Sequence, residues 1–342
     1  MIAAGPVLRY GRMRWLIVLP FERPGHMGVD FAEELTALGH EVRTFAYRRD
    51  NVLYKNTGPK ALYQRWLAGR LLRVGLEWRP ALTLVVKGGP FGPEFIRRFR
   101  ERVGTRVVNV FPDNPLWMIP FECVEAYDLF FTKERYALRA LQGAGLRNLH
   151  YLPMYCVPAM HHPVTLTDAE RARYGSPLSF VGSRYPYRER FLRELSSYPL
   201  RVWGGGWTRA RAPEIRAMVA GGPVWGREKL CVYSGSTLSL NQHHPMNDIV
   251  GTNTRTFELA AAGACQVVDF KEDLATLFKP GEEMVAYRDL GDLRRQLDYH
   301  LAHPDEAAAL GANARRRALA EHTLRHRIEE IVAAVDERCG PA

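Results

Sequence analysis

Apolar residues come in short runs separated by amphipathic stretches. Arg14-Trp-Leu-Ile-Val-Leu-Pro20 is apolar throughout and too short for a helix, so it reads as a strand buried on both faces. A Gly/Pro loop over 21–28 follows. Residues 29–38 then place Phe31, Leu35 and Leu38 at helical spacing, and Gly39 ends that helix. Residues 41–47 alternate as a second strand. Further strands are predicted at 82–87, 106–111 and 128–132, with helices near 61–74 and 94–102 between them. Strands that alternate with helices predict a parallel, doubly wound sheet.

The stretch 152–177 breaks this rhythm. It carries Pro153, Pro158, His161-His162-Pro163 and Pro177, with one short helical pattern at 168–173. A second series then begins. A strand at 178–181 turns at Gly182-Ser183, a helix covers 187–195 and a strand 200–203. Residues 231–240 read as a helix end and a strand, 257–262 as a helix, 265–269 as a buried strand, and the chain is helical from Asp289 onward. The expected organisation is a Rossmann-like domain over 1–155, a hinge over 156–177 and a second Rossmann-like domain over 178–325. A terminal helix and tail over 326–342 would pack back on the first domain. Two such domains predict a cleft, with ligands beyond the carboxyl ends of the strands.

Composition excludes several classes. Of 342 residues, 46% are hydrophobic and 25% charged, which argues against disorder, collagen or coiled coil. No apolar stretch reaches the roughly 18 residues of a membrane span, and the first residues lack a secretory signal, so a cytoplasmic location is expected. Cys123, Cys156, Cys231, Cys265 and Cys339 are scattered and odd in number, which speaks against a disulfide framework or a zinc ribbon and for reduced thiols. The net charge is +10, and only seven of the 47 basic residues are lysine. An arginine excess suits nucleotides, polyanionic acceptors or peripheral contact with membrane headgroups. Codon bias in a GC-rich genome explains it equally well. No nucleic-acid motif accompanies the charge, so no specific nucleic-acid partner is expected.

The most informative segment is Gly251-Thr-Asn-Thr-Arg255-Thr-Phe-Glu258-Leu-Ala-Ala-Ala-Gly263-Ala-Cys-Gln-Val-Val-Asp269. A polar loop runs into a short helix whose first amides can hold a phosphate. Arg255 adds charge there, and Glu258, about one turn in, offers paired acceptors to a ribose diol. An ordinary helix with a capping Thr and a solvated Glu fits the same residues. Asp113, in Phe-Pro-Asp-Asn-Pro after a strand, and His26, in the loop after the first strand, are candidate bases; a turn-capping Asp and a surface His are the plainer readings. Lys87 ends a strand and suits an acceptor or a phosphate, or solvent. Of His243 and His244, which follow a strand-like run, one is expected to meet sugar or phosphate. His322 and His326 have zinc-like spacing but no third ligand, so they read as surface histidines. Arg315-Arg-Arg317 reads as a solvated helix face. No Asp-x-Asp, P-loop or G-x-S-x-G motif occurs.

Phe257-Glu-Leu-Ala-Ala-Ala-Gly263 through Asp269, then Leu274, Phe278-Lys-Pro-Gly-Glu-Glu283, Tyr287-Arg-Asp289 and Leu293 resemble the carboxyl-terminal domain of GT-B glycosyltransferases. The resemblance is closest to the CgeB-like branch, named for a spore-maturation protein. Ala314-Arg-Arg-Arg317, His322-Thr-Leu324 and Arg327 match its closing helices. Ser179-Phe-Val-Gly-Ser183 with Arg188-Glu-Arg190 resembles the strand and helix that open its second domain.

The resemblance implies a GT-B fold, two Rossmann-like parallel-sheet domains facing a cleft. It implies transfer of a sugar from a nucleoside-diphosphate donor to a glycan, a protein or a small molecule of the cell envelope. Glu258 would hold the donor ribose. Asn253, Thr254 and Arg255 would sit by the diphosphate with Gly182 and Arg184, and His243 or His244 would complete the donor site. The first domain, with Asp113, His26 and Lys87, would take the acceptor. No metal and no cofactor would be needed. The large retaining group has a second Glu eight residues before the ribose Glu, and here Val250 stands there. Anomeric outcome is therefore open, and so is a non-catalytic GT-B-like protein with a binding or surface-layer role. A nucleic-acid-associated role is the remaining alternative.

Overall fold

The computed structural model describes residues 11–48 and 60–340. The chain forms two compact units, Met1–Pro153 together with Leu324–Ala342, and Met154–Thr323.

In the first unit six strands form one parallel sheet. They are β1 (Arg14–Leu19), β2 (Glu41–Ala46), β3 (Leu82–Val86), β4 (Arg106–Phe111), β5 (Leu129–Thr132) and β6 (Leu149–Tyr151), in the order β2-β1-β3-β4-β5-β6. β1 is an interior strand, with Trp15 opposite Val42 on one side and Leu82 on the other. Its last five residues and all of β3 are buried, as continuous apolar runs demand when helices cover both faces. The helix Lys60–Trp78 runs a turn beyond the predicted end. It crosses the helix Pro93–Val103 closely at Gly75, where an added Cβ would stand 2.8 Å from the Phe99 ring. The terminal helix Leu324–Cys339 belongs to this unit and buries Leu324, Ile328, Ile331 and Val335. Arg327 Nε donates to Pro153 O at 2.9 Å.

The second unit has its own parallel sheet. Its strands are β7 (Ser176–Val181), β8 (Leu200–Trp203), β9 (Val219–Gly221), β10 (Ser236–Asn241), β11 (Gln266–Asp269) and β12 (Val285–Tyr287), in the order β12-β11-β10-β7-β8-β9. Leu178, Phe180, Val202, Leu238, Leu240 and Val267 form the centre of its core. The order reverses between β7 and β10, as it does between β1 and β3 in the first unit. Loops diverge at such a switch point and leave a crevice at the carboxyl ends of the strands.

Several elements escape the sequence pattern. β6, β9 and β12 are three residues long, too short for a period to register. The residues after Pro153 are ordered. Cys156 bridges to Thr323, its amide donating to His322 O at 2.9 Å. The helix Asp168–Tyr174 starts at a capping box made by Thr167 and Glu170.

Two expectations need correction. His322 is not a surface residue. It lies buried between the rings of Phe257 and Phe278, in the gap between two helices, with Nε2 2.7 Å from Leu277 O. Arg315 and Arg317 are not simply solvated. Arg315 donates to the Ala261 carbonyl, and Arg317 pairs with Glu283 at 3.2 Å. The first follows from the packing of the helix Pro304–Glu321 against the helix Thr254–Ala261, and the second ties the same helix to the turn before β12. All five cysteines are free, four of them buried. Among the described residues no helix is long and apolar enough to cross a membrane.

Candidate functional site

The crevice of the second unit is built on glycine. β7 runs into Gly182, whose amide donates to Trp203 O at 2.8 Å and whose carbonyl accepts from Trp207 Nε1 at 2.8 Å. Gly204, just past β8, has φ +151°, and a Cβ there would stand 2.0 Å from Gly182 O. No other residue fits that approach. A Cβ on Gly182 would in turn lie 2.8 Å from Arg255 Nη2, so glycine at 182 leaves space for a guanidinium over the end of β7.

Two arginines meet there. Arg188, in the first turn of the helix Pro186–Arg193, is buried, with Nη1 donating to Ser183 O at 2.9 Å and Nη2 to Gln242 O at 3.4 Å. It spans the loops after β7 and β10, the two sides of the switch point. Arg255 donates to Asn241 Oδ1 at 3.2 Å. Both guanidinium carbons lie over the Phe180 ring, at 5.5 Å and 5.4 Å from its centroid. Neither forms an ion pair with a described carboxylate. Burial first, and then the Arg255 charge, lower Arg188 to about 10. Arg188 Nε, Tyr187 OH, Gln242 Oε1 and His243 Nε2 are all buried without a protein partner. Such orphans are rare and ask for a ligand or water.

The helix Thr254–Ala261 starts beside them. Asn253 caps it, accepting from Thr256 N at 3.0 Å, so Asn rather than Thr supplies the cap. Asn241, at the end of β10, ties Asn253, Thr256 and Gln266 together with contacts of 2.9–3.3 Å. Asn241, Thr256 and Gln266 are fully buried. The network fixes the helix start against the sheet. The amides of Thr254 and Arg255 have no acceptor within the helix.

Glu258 lies on the same helix. Lys229 Nζ is 3.1 Å from its Oε2, Tyr233 OH 3.5 Å from Oε2, and His161 Nε2 3.7 Å from Oε1. Burial works to raise this carboxyl, but Lys229 foremost, with His161 and Arg255, together hold Glu258 below the ordinary value. His161 accepts the Val157 amide at Nδ1, 3.0 Å, which leaves its proton on Nε2, facing Glu258. Burial pushes His161 down to about 4, so it is neutral at pH 7.

His243 pairs with Asp269. Both its amide and its Nδ1 lie 2.8 Å from Asp269 Oδ1, and Lys271 stands 3.5 Å from Oδ2. The bond orients the imidazole and leaves Nε2 to face any ligand. His244 instead packs edge-on against Tyr185 and Tyr187. Arg184 is held by Glu189 at 2.5 Å, so its charge is already matched.

The first unit assembles a smaller group at its own switch point. β3 ends in a γ-turn centred on Lys87, φ +63°, closed by Gly88 N donating to Val86 O at 2.8 Å. Tyr47 OH donates to Val86 O at 2.9 Å and accepts from Gly88 N at 3.2 Å, and Asn109 donates to Lys87 O at 3.3 Å. These bonds hold a backbone conformation that costs a lysine about 1–2 kcal/mol. The ammonium reaches Asp113 Oδ2 at 2.5 Å. His26 is exposed at the start of the helix Met27–Ala37. Partial burial of its ring, then Arg23 and Lys87, lower it below the usual histidine value.

The structure thus gathers Gly182, Asn253, Arg255 and His243 at one crevice with Glu258 on the adjoining helix, and Lys87, Asp113 and His26 at the other. Arg188, Lys229, His161, Asn241 and Asp269 escaped sequence reasoning. Only Arg188 carries a local signal, a cation in the first helical turn after a glycine turn. Among the described residues no group of three or more His, Cys, Asp or Glu side chains is arranged to hold a metal.

Residues 184–333 match the Glycosyl transferase-like family. A solved sucrose-phosphate synthase from Thermosynechococcus elongatus superposes with a TM-score of 0.72 over 95% of this chain and 99% of that one, at 14% identity. The chain has the GT-B fold. The same GT-B fold relates it to a glycosyltransferase from Rickettsia africae, with a TM-score of 0.72, 12% identity and 97% and 100% of the two chains covered. It also relates it to Anabaena HepE in complex with UDP and glucose, with a TM-score of 0.67, 10% identity and 95% and 100% covered. No curated protein matches the chain.

Proposed function

We propose that this protein is a glycosyltransferase of the CgeB-like branch that takes a sugar from a nucleoside-diphosphate donor bound in the second unit. The observation that carries the reading is the pair Arg188 and Arg255. Two guanidiniums lie against one aromatic ring, one of them buried, and neither has a described carboxylate partner. Such a pair is unfavourable until an anion lies between its members. A diphosphate supplies that anion, with the first amides of the helix Thr254–Ala261 as further donors. Glu258, ionised and presented by Lys229, suits the ribose diol. His243 Nε2 suits a hydroxyl or phosphate oxygen of the sugar diphosphate. Anabaena HepE, of the same fold, has been solved with UDP-glucose, which supports a donor of that type.

In the transfer, the bond from the anomeric carbon to the phosphate oxygen breaks and the acceptor oxygen bonds to that carbon. Negative charge gathers on the departing diphosphate, where the two arginines stabilise it most. The acceptor hydroxyl loses a proton. His26, neutral near pH 7, is suited to take it, and Lys87 with Asp113 is suited to hold the acceptor.

The test is calorimetric binding of UDP, GDP, ADP and dTDP to the wild type, Arg188→Gln and Glu258→Ala, followed by turnover of the matching nucleotide sugars. One nucleotide is expected to bind the wild type, and both variants to weaken it at least tenfold, about 1.4 kcal/mol. Binding without turnover of any acceptor or water would favour the non-catalytic reading. No binding at millimolar nucleotide would end the proposal.

A further inference from the structure

A second cationic cavity lies in the first unit. It encloses about 370 Å³ between the loop after β1, the end of β2 and the helix Lys60–Trp78. Arg23, Arg43, Arg48 and Arg70 line it, with Glu22 as the lining carboxylate. Glu22 is engaged by Thr44 Oγ1 at 2.5 Å. Arg43, Arg48 and Arg70 form no ion pair with any described carboxylate. Each is laid on an aromatic ring instead. Arg43 Cζ is 5.1 Å from Trp78, Arg70 Cζ 4.9 Å from Trp66, and Arg48 Cζ 5.9 Å from Tyr47. Ring contacts orient guanidiniums but leave their charge unmatched. Arg48 Nε is in addition buried without a partner.

We propose that this cavity binds a phosphate group carried by a saccharide or by a lipid headgroup. Converging guanidiniums repel one another, and an anion with two charges relieves that repulsion. Their planar forks match the oxygens of phosphate. The volume lies in the range of small-molecule sites, roughly 300–1,000 Å³, so more than a bare ion fits. The position is also informative. The cavity opens at the carboxyl ends of β1 and β2, and Arg48 Nη2 comes within 3.8 Å of where a Cβ on Gly89 would stand, beside the Lys87 turn. The anion site stands without the transferase reading. Naming its occupant as part of the acceptor rests on that reading, and makes the acceptor a phosphorylated one.

The probes are glucose 6-phosphate, glucose, and vesicles of phosphatidylglycerol or of phosphatidylcholine. The proteins are the wild type, the double variant Arg43→Gln/Arg70→Gln, Arg188→Gln in the other unit, and Arg98→Gln as a surface-charge control. Circular dichroism melts check that each is folded. Glucose 6-phosphate or phosphatidylglycerol vesicles should bind the wild type, Arg188→Gln and Arg98→Gln alike. Glucose and phosphatidylcholine should not bind. The double variant should lose at least tenfold in affinity while keeping its affinity for UDP. Binding of the sugar phosphate marks a soluble source, and binding of the vesicles alone marks a lipid. The proposal is overturned if neither phosphate probe binds, if the double variant binds as well as the wild type, or if Arg98→Gln weakens binding as much. UDP failing to bind while glucose 6-phosphate binds would refute the donor reading and leave this one intact.

Discussion

Lys229 Nζ lies 3.1 Å from Glu258 Oε2, and both side chains are 19% exposed. The lysine comes from the helix Gly226–Ser234 and the glutamate from the helix Thr254–Ala261. At this exposure the pair is shielded from bulk water, so it orients the carboxylate as well as keeping it charged. Replacing Lys229 with Met is expected to weaken nucleotide binding about tenfold at pH 8. The loss should grow toward pH 5, because Glu258 without the ammonium takes up a proton more readily. Calorimetry across that range checks it, and Lys229→Arg should restore most of the affinity. A loss that does not vary with pH would make Lys229 a packing residue only.

His161 makes stability depend on pH. Its folded value is about 4 against an ordinary 6.5, so between those values the unfolded chain binds the extra proton. Stability from this group is full above pH 6.5 and falls as the pH drops toward 4. The total is about 3 kcal/mol at 1.36 kcal/mol per unit. In thermal melts from pH 7 to pH 4, the wild type should lose more than His161→Gln over that window.

Gly204→Ala puts a methyl group 2.0 Å from Gly182 O at a φ of +151°. The strand end at Gly182 must then move. We expect a loss of about 3 kcal/mol or more, by the strain of a special backbone conformation. Gly222→Ala, with nothing within 4 Å of the added carbon, is the matched control and should melt near the wild type.

Lys87 should separate stability from function. Glycine escapes the left-handed penalty that alanine bears at φ +63°, so Lys87→Gly should be about 1 kcal/mol more stable than Lys87→Ala. Turnover should fall alike in both, since each removes the ammonium. Unequal turnover would assign the role to the turn rather than to the charge.

If two guanidiniums supply the charge at the diphosphate, as proposed, turnover should survive EDTA. A tenfold fall restored by magnesium would show that arginine alone does not suffice.

Periodicity alone located β1, β4, β8 and most helices of this chain, and the Gly251–Asp269 segment announced its helix and its candidate carboxylate. These are local properties. A strand buried on both faces must be apolar along its length, and a polar turn and the helix it starts are contiguous in the chain. The three-residue edge strands left no such trace, because neighbours in the sheet define them. The partners of Glu258 left none either. Lys229 reads as one more surface lysine, and His161 as part of a proline-rich linker, until folding sets both beside the carboxylate. His322 reads as a surface residue for the same reason: its burial comes from Phe257 and Phe278, which lie far from it in the chain. Pairing, burial and the charge a side chain feels come from residues distant in sequence. Only the tertiary structure brings those residues together.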